Sequence, residues 1–137
     1  MKDKSPTPFV EKILAFVGLV SCLISVFWSY SVVLNQQPLW LLPGLYLVEM
    51  LAASILAAYG VLGGSIVETW IAVGIMLGFS LMGAWTIGLA FIPSTLIFIV
   101  AAMMVNRKAS QGMGKYSLLG ALACAFQIVL MMIVTRI

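Results

Sequence analysis

The sequence predicts an all-α integral membrane protein, a compact bundle of five transmembrane helices with a cytoplasmic N-terminus and an external C-terminus. Three observations predict it. Of 137 residues, 64% are hydrophobic and 8% charged, with mean hydropathy +1.19; a soluble domain this small has too little interior for so much apolar surface. The apolar residues fall in runs long enough to cross the ~30 Å hydrocarbon layer of a bilayer. The Lys and Arg residues behind the net charge of +3 sit almost entirely between those runs. There they report topology rather than affinity for nucleic acid.

Residues 1–12 (MKDKSPTPFVEK) are polar, with Pro6 and Pro8 opposing early helix and Lys2, Lys4 and Lys12 marking a cytoplasmic tail. The first span is expected at about 13–34. Its apolar run exceeds a signal-peptide core and ends without a small-residue cleavage site, so it is expected to stay attached. The uncharged Asn35-Gln36-Gln37-Pro38 makes the outer turn. Pro43 then opens a second span, about 43–62, at a position where a missing N–H costs nothing. Gly63-Gly64 ends it.

The stretch from Ile66 to Val105 decides the topology. As one helix it would run about 60 Å, near twice the hydrocarbon thickness. The N-terminal tail and the segment Asn106–Lys115, with Arg107, Lys108 and Lys115, are both basic. Both lie in the cytoplasm only if an even number of crossings separates them. The stretch is therefore expected to fold back between Gly83 and Pro93, giving spans at about 66–84 and 89–105, followed by a fifth at about 116–135. The competing reading is four spans with one long kinked third element, which strands one basic cluster outside or turns the N-terminus out. Trp28, Trp40 and Trp85 are expected at the outer interface, and Trp70 and Tyr116 at the inner one. Arg136 falls on the outer side against the bias, and a single residue weighs less than a cluster. No internal repeat is visible.

Lipid tails are as apolar as leucine, so membrane helices associate through close packing and interhelical hydrogen bonds. Small residues four apart mark the expected contact faces: Gly18 with Cys22, Ala53 with Ala57, then Gly60, the GxxxG pair Gly74 and Gly78, and Gly120 with Cys124.

The chain has no histidine, which removes the usual general base at neutral pH and the commonest metal and haem ligand. Cys22 and Cys124 stand alone in separate spans and read as packing residues, and the nine methionines as flexible filling. No catalytic, cofactor or metal residue is therefore expected. Glu49 is the outstanding position, inside the second span with no Lys or Arg within helical reach. An ionised carboxylate there costs about 2.5–3.5 kcal/mol on insertion scales unless it is paired, hydrated or protonated. It reads as a proton- or cation-handling group, as a contact for a partner's Lys or Arg, or as a carboxyl hydrogen-bonded to its neighbours. Gln127 is expected to bridge to an adjacent helix. Ser21, Ser25 and Ser29 form a stripe that lines a polar path or bonds back to its own helix. Glu68 reads as an interfacial carboxylate at a helix start. Arg107, Lys108 and Lys115 form a loop for anionic headgroups or a partner.

The run Trp40-Leu-Leu-Pro43-Gly-Leu-Tyr46-Leu-Val-Glu-Met50 resembles the second helix of the tryptophan-rich sensory/translocator family, which is also small and five-helical. The other Trp-, Pro- and Asn-rich motifs of that family are absent, and its porphyrin and steroid ligands are not carried over. The residues together predict a small non-enzymatic subunit, embedded in the lipid bilayer of a bacterial cytoplasmic membrane, that packs against a larger complex or itself. A small oligomeric transporter or channel using Glu49 is the alternative.

Overall fold

The computed structural model describes residues 9–34, 42–108 and 112–136. These form α1 (Phe9–Ser29), which continues as a π-helical turn Tyr30–Leu34, α2 (Leu42–Gly63), α3 (Ile66–Met82), a 3₁₀ turn Gly88–Phe91, α4 (Ile92–Lys108) and α5 (Met113–Arg136). No strand occurs among the described residues. Phe9–Val32, Gly44–Gly63, Gly88–Lys108 and Met113–Arg136 are long and apolar enough to cross a membrane, and Ile66–Met82 is a shorter apolar helix. At 1.5 Å per residue α3 rises about 25 Å.

The stretch Ile66–Val105 turns back on itself. Gly83 closes α3 by donating to the Phe79 carbonyl at 2.8 Å, and Gly88 donates to the Gly83 carbonyl at 2.7 Å. The two glycines touch so closely that any Cβ on Gly88 would overlap the Gly83 backbone. Pro93 occupies the second position of α4, where its fixed φ suits a helix start. The tighter turn at the other end uses Gly64 at φ +68°, a conformation open to glycine at little cost.

Helices α1 to α4 close a ring in which α1 and α3 each pack between α2 and α4. Helix α5 lies outside the ring, chiefly on α3 and slightly on α4. Sequential neighbours run antiparallel. Tyr46 of α2 meets Phe79 of α3 at 5.6 Å with the rings tilted by 60°, while Gly60 lies against Thr69. Phe79 meets Phe91 edge-on at 5.6 Å and 89°, an arrangement worth about 0.5–1.5 kcal/mol beyond its area. With Phe98, Met50 and Met76, all fully buried, these rings fill the centre of the bundle.

Helix α5 runs parallel to α3, with Trp70 against Gly120, Gly74 against Gly120 and Ala123, and Gly78 against Cys124 and Gln127. The glycines let the two backbones approach closely, the means by which membrane helices gain dispersion contacts that lipid does not supply.

Three expectations need correction. Helix α1 starts at Phe9, so Glu11 and Lys12 belong to it and not to a polar tail. Helix α4 continues through Asn106, Arg107 and Lys108, so two of the three loop cations sit in its last turn, and Lys115 falls in the first turn of α5. Both extensions are stabilised by the pairing of Glu11 with Lys108. Trp70 is 7% exposed, because Gly120 leaves room for the indole in the α3–α5 seam. Trp85 stands in the α3–α4 turn, 97% exposed; Trp40 lies outside the described residues.

Candidate functional site

The polar groups of the bundle fall into three places: the core of the ring, its α1-start end, and the outer wall of α2 and α3. In the core, hydroxyls are tied to backbone carbonyls. Ser25 donates to the carbonyls of Ser21, one turn back at 2.9 Å, and Ala90, in the 3₁₀ turn at 2.6 Å. Ser94 returns a bond to the Gly18 carbonyl at 3.1 Å, and Ser54 bonds to the Leu51 carbonyl at 2.8 Å. Thr95 donates to the Phe91 carbonyl at 2.9 Å, so Ser80 supplies the proton of the 3.2 Å bond between the two hydroxyls. Ser29 is fully buried with its hydroxyl unpartnered, and Ser21 is half-buried. Of the serine stripe only Ser25 ties α1 to another element, the 3₁₀ turn, while large apolar side chains occupy the space at the centre.

At the end where α1 begins and α4 finishes, Glu11 is 1% exposed and its carboxylate meets the Lys108 ammonium at 3.2 Å. Lys108 stays 42% exposed, so the pair is a buried acid roofed by a half-solvated base. Asn106, 1% exposed, has both amide atoms without a hydrogen bond. The sequence alone does not reveal this cluster, because the charges and prolines before residue 13 make Glu11 read as part of a polar tail. A signal was present: Glu11, Ala15, Gly18, Cys22, Ser25 and Ser29 alternate by four and three, one continuous buried face of α1. Arg107, Lys12 and Lys115 at the same end are exposed.

The outer wall carries the remaining acids. Glu49 is half-buried at the edge of the α2–α3 seam, one turn after Tyr46 and next to exposed Leu45 and Leu56. Among the described residues it has neither a hydrogen bond nor an ion pair, so bonding to neighbouring hydroxyls does not satisfy it. Glu68 lies in the first turn of α3 with Oε2 buried and unbonded. It heads a stripe along α3 with half-buried Ile71 and Ile75 and exposed Met82. Helices α2 and α5 do not touch each other, so α2, α3 and α5 form a wall with one free side.

Gln127 is 3% exposed and packs its methylenes on Gly78, but its Nε2 makes no hydrogen bond. It is therefore a filler of the seam in this chain, and it does not meet Glu49. Of the contact-face residues, Ala53 and Ala57 are buried on α2, Gly60 meets Thr69, and Gly18 takes the edge of the Phe98 ring. Between α1 and α2 an open apolar groove of about 550 Å³ is lined by Leu23, Phe27, Tyr30, Gly44, Leu47 and Val48. No grouping of metal-ligating side chains occurs among the described residues.

No protein-family model, curated protein or solved structure matches the chain.

Proposed function

We propose that this protein is a small, non-enzymatic subunit of a membrane assembly, crossing a bacterial cytoplasmic membrane five times and lending helices to a larger complex. The observation that carries the reading is the filled ring: Phe79, Phe91, Phe98, Met50 and Met76 occupy its centre, and the hydroxyls of Ser25, Ser94 and Thr95 donate to backbone carbonyls. Such an interior supports a building element, and the polar groups that still lack partners include two acids on an outer wall. Purified gently from its native membrane, the protein is expected to bring a stoichiometric second membrane protein with it, measured as a defined complex mass. A lone monomer as the sole species would overturn the reading.

The orientation follows from the same frame. The exposed cations Lys12, Arg107 and Lys115 gather at one end of the bundle, which under the positive-inside bias is the cytoplasmic end. Cysteines introduced by Gly63→Cys and Gly112→Cys, both sites open to solvent, are expected to react from the cytoplasmic face of sealed vesicles. Trp85→Cys is expected to react from the other face. Native Cys22 and Cys124 are buried and supply a low background. Reaction of positions 63 and 85 from one face would replace five crossings by four.

Transport is the second reading, favoured by Glu49, a half-buried carboxylate with no hydrogen bond or ion pair among the described residues. It requires a proton- or cation-dependent flux in liposomes that Glu49→Gln abolishes.

A further inference from the structure

We infer that the free side of the α2–α3–α5 wall seats a transmembrane helix of a different protein, one carrying a lysine or arginine at the depth of Glu49. The inference rests on the subunit reading and adds the surface and the chemistry of the partner.

The chain has four acids, Asp3, Glu11, Glu49 and Glu68. Asp3 lies outside the described residues, and Glu11 is matched by Lys108. Glu49 and Glu68 are unmatched, and both border the same free side. Glu49 stands at the α3 edge of α2, and Glu68 starts the half-covered stripe Glu68, Ile71, Ile75, Met82 of α3. Neither α2 nor α3 contains a basic residue. Glu49 is the eighth residue of α2, about 10 Å along it, within the apolar layer. A carboxylate at such depth is costly without a counter-charge, and intramembrane acids pair with bases on neighbouring helices.

Among the described residues, a second copy of this chain offers no base at that depth. Its described cations lie at helix ends: Lys12 in the first turns of α1, Arg107 and Lys108 ending α4, Lys115 opening α5 and Arg136 closing it. Where the positive-inside bias gives all copies one orientation, only Arg136 of the described cations approaches from Glu49's side. Gln127 already stands beside Gly78, level with Phe79 and Tyr46, and Arg136 lies about 13 Å further along α5. The counter-charge therefore belongs to another protein. The shape agrees: α2 and α5 flank α3 without touching, and Ile71, Ile75 and Met82 between them give an apolar floor for a helix.

The test uses the full-length protein in phosphatidylcholine vesicles with three synthetic helical peptides as probes: a leucine-rich span with one central arginine, the same span with leucine there, and the same with glutamate. Binding is followed by fluorescence transfer, and the seat by a photo-crosslinker at position 75 or, as a control, at exposed Phe16 of α1. The arginine peptide is expected to bind about tenfold or more tightly than the leucine peptide, and the glutamate peptide worst. Crosslinks should form at 75 and not at 16. Glu49→Gln, nearly isosteric, should erase the preference, and Glu49→Asp should keep part of it. Equal binding of arginine and leucine peptides, a preference that survives Glu49→Gln, or crosslinking of one copy to another at position 75 would overturn the proposal. Failure of the subunit reading appears separately, as a lone monomer from native membrane even though the arginine peptide binds.

Discussion

Gly74→Leu is expected to strip α5 from the bundle while the four-helix ring stays folded. A Cβ on Gly74 would run into the Gly120 carbonyl and would stand 2.8 Å from the Ala123 Cβ. The obstacle is backbone, which cannot rotate aside as a long side chain does. Overpacking of this kind typically costs about 1–3 kcal/mol, occasionally more, and here it falls on the main attachment of α5. The two native cysteines give the readout. Cys124 is 9% exposed in the seam and Cys22 is 0% exposed inside the ring. In mild detergent Gly74→Leu should make Cys124 react with a maleimide at least about tenfold faster, with Cys22 still protected. Gly63→Leu, with open space around the site, is the control and should change neither. If both thiols became reactive together, α5 would be part of one cooperative unit with the ring.

The second large effect is asymmetric. Lys108→Ala leaves the Glu11 carboxylate buried without its counter-charge, whereas Glu11→Gln leaves a lysine free to turn into water. Breaking a buried pair costs about 3–5 kcal/mol; because Lys108 is 42% exposed, about 2 kcal/mol is the expected loss for Lys108→Ala after allowing for solvent screening. Glu11→Gln should lose less than half of that. The double variant should be more stable than Lys108→Ala alone, since the stranded charge is gone. Denaturation midpoints in detergent for the four proteins give the coupling energy directly. Equal losses from the two single variants would mean that the contact is solvated and contributes little.

The fold was legible where composition and breakers speak. Hydropathy marked apolar helices, Gly83, Gly88 and Pro93 marked the place where the chain turns, and Pro43 marked the opening of α2. Helix limits near charged residues were not legible, because Glu11 and Lys108 each favour a water-facing tail when considered alone. Only their meeting across 97 positions makes them helical and, for Glu11, buried. Gln127 shows the converse: an amide in an apolar run invites a hydrogen bond, yet the Gly78 surface it meets offers carbon. Glu49 was conspicuous as a lone charge, but its place on the outward edge of α2 required knowing which face α3 covers. The hydropathy of α2 is too uniform to reveal that face.

The separation of Glu11 from Lys108 also bears on how the protein is made. Glu11 leaves the ribosome with the first helix, and its match is synthesised 97 residues later, roughly 5 to 20 s at ordinary elongation rates. During that interval the first helix carries an acid without its base, and the contact closes only when the last turn of the fourth helix arrives. A chain cut short before Lys108 never forms it, and its first helix keeps an acid with no counter-charge among the described residues.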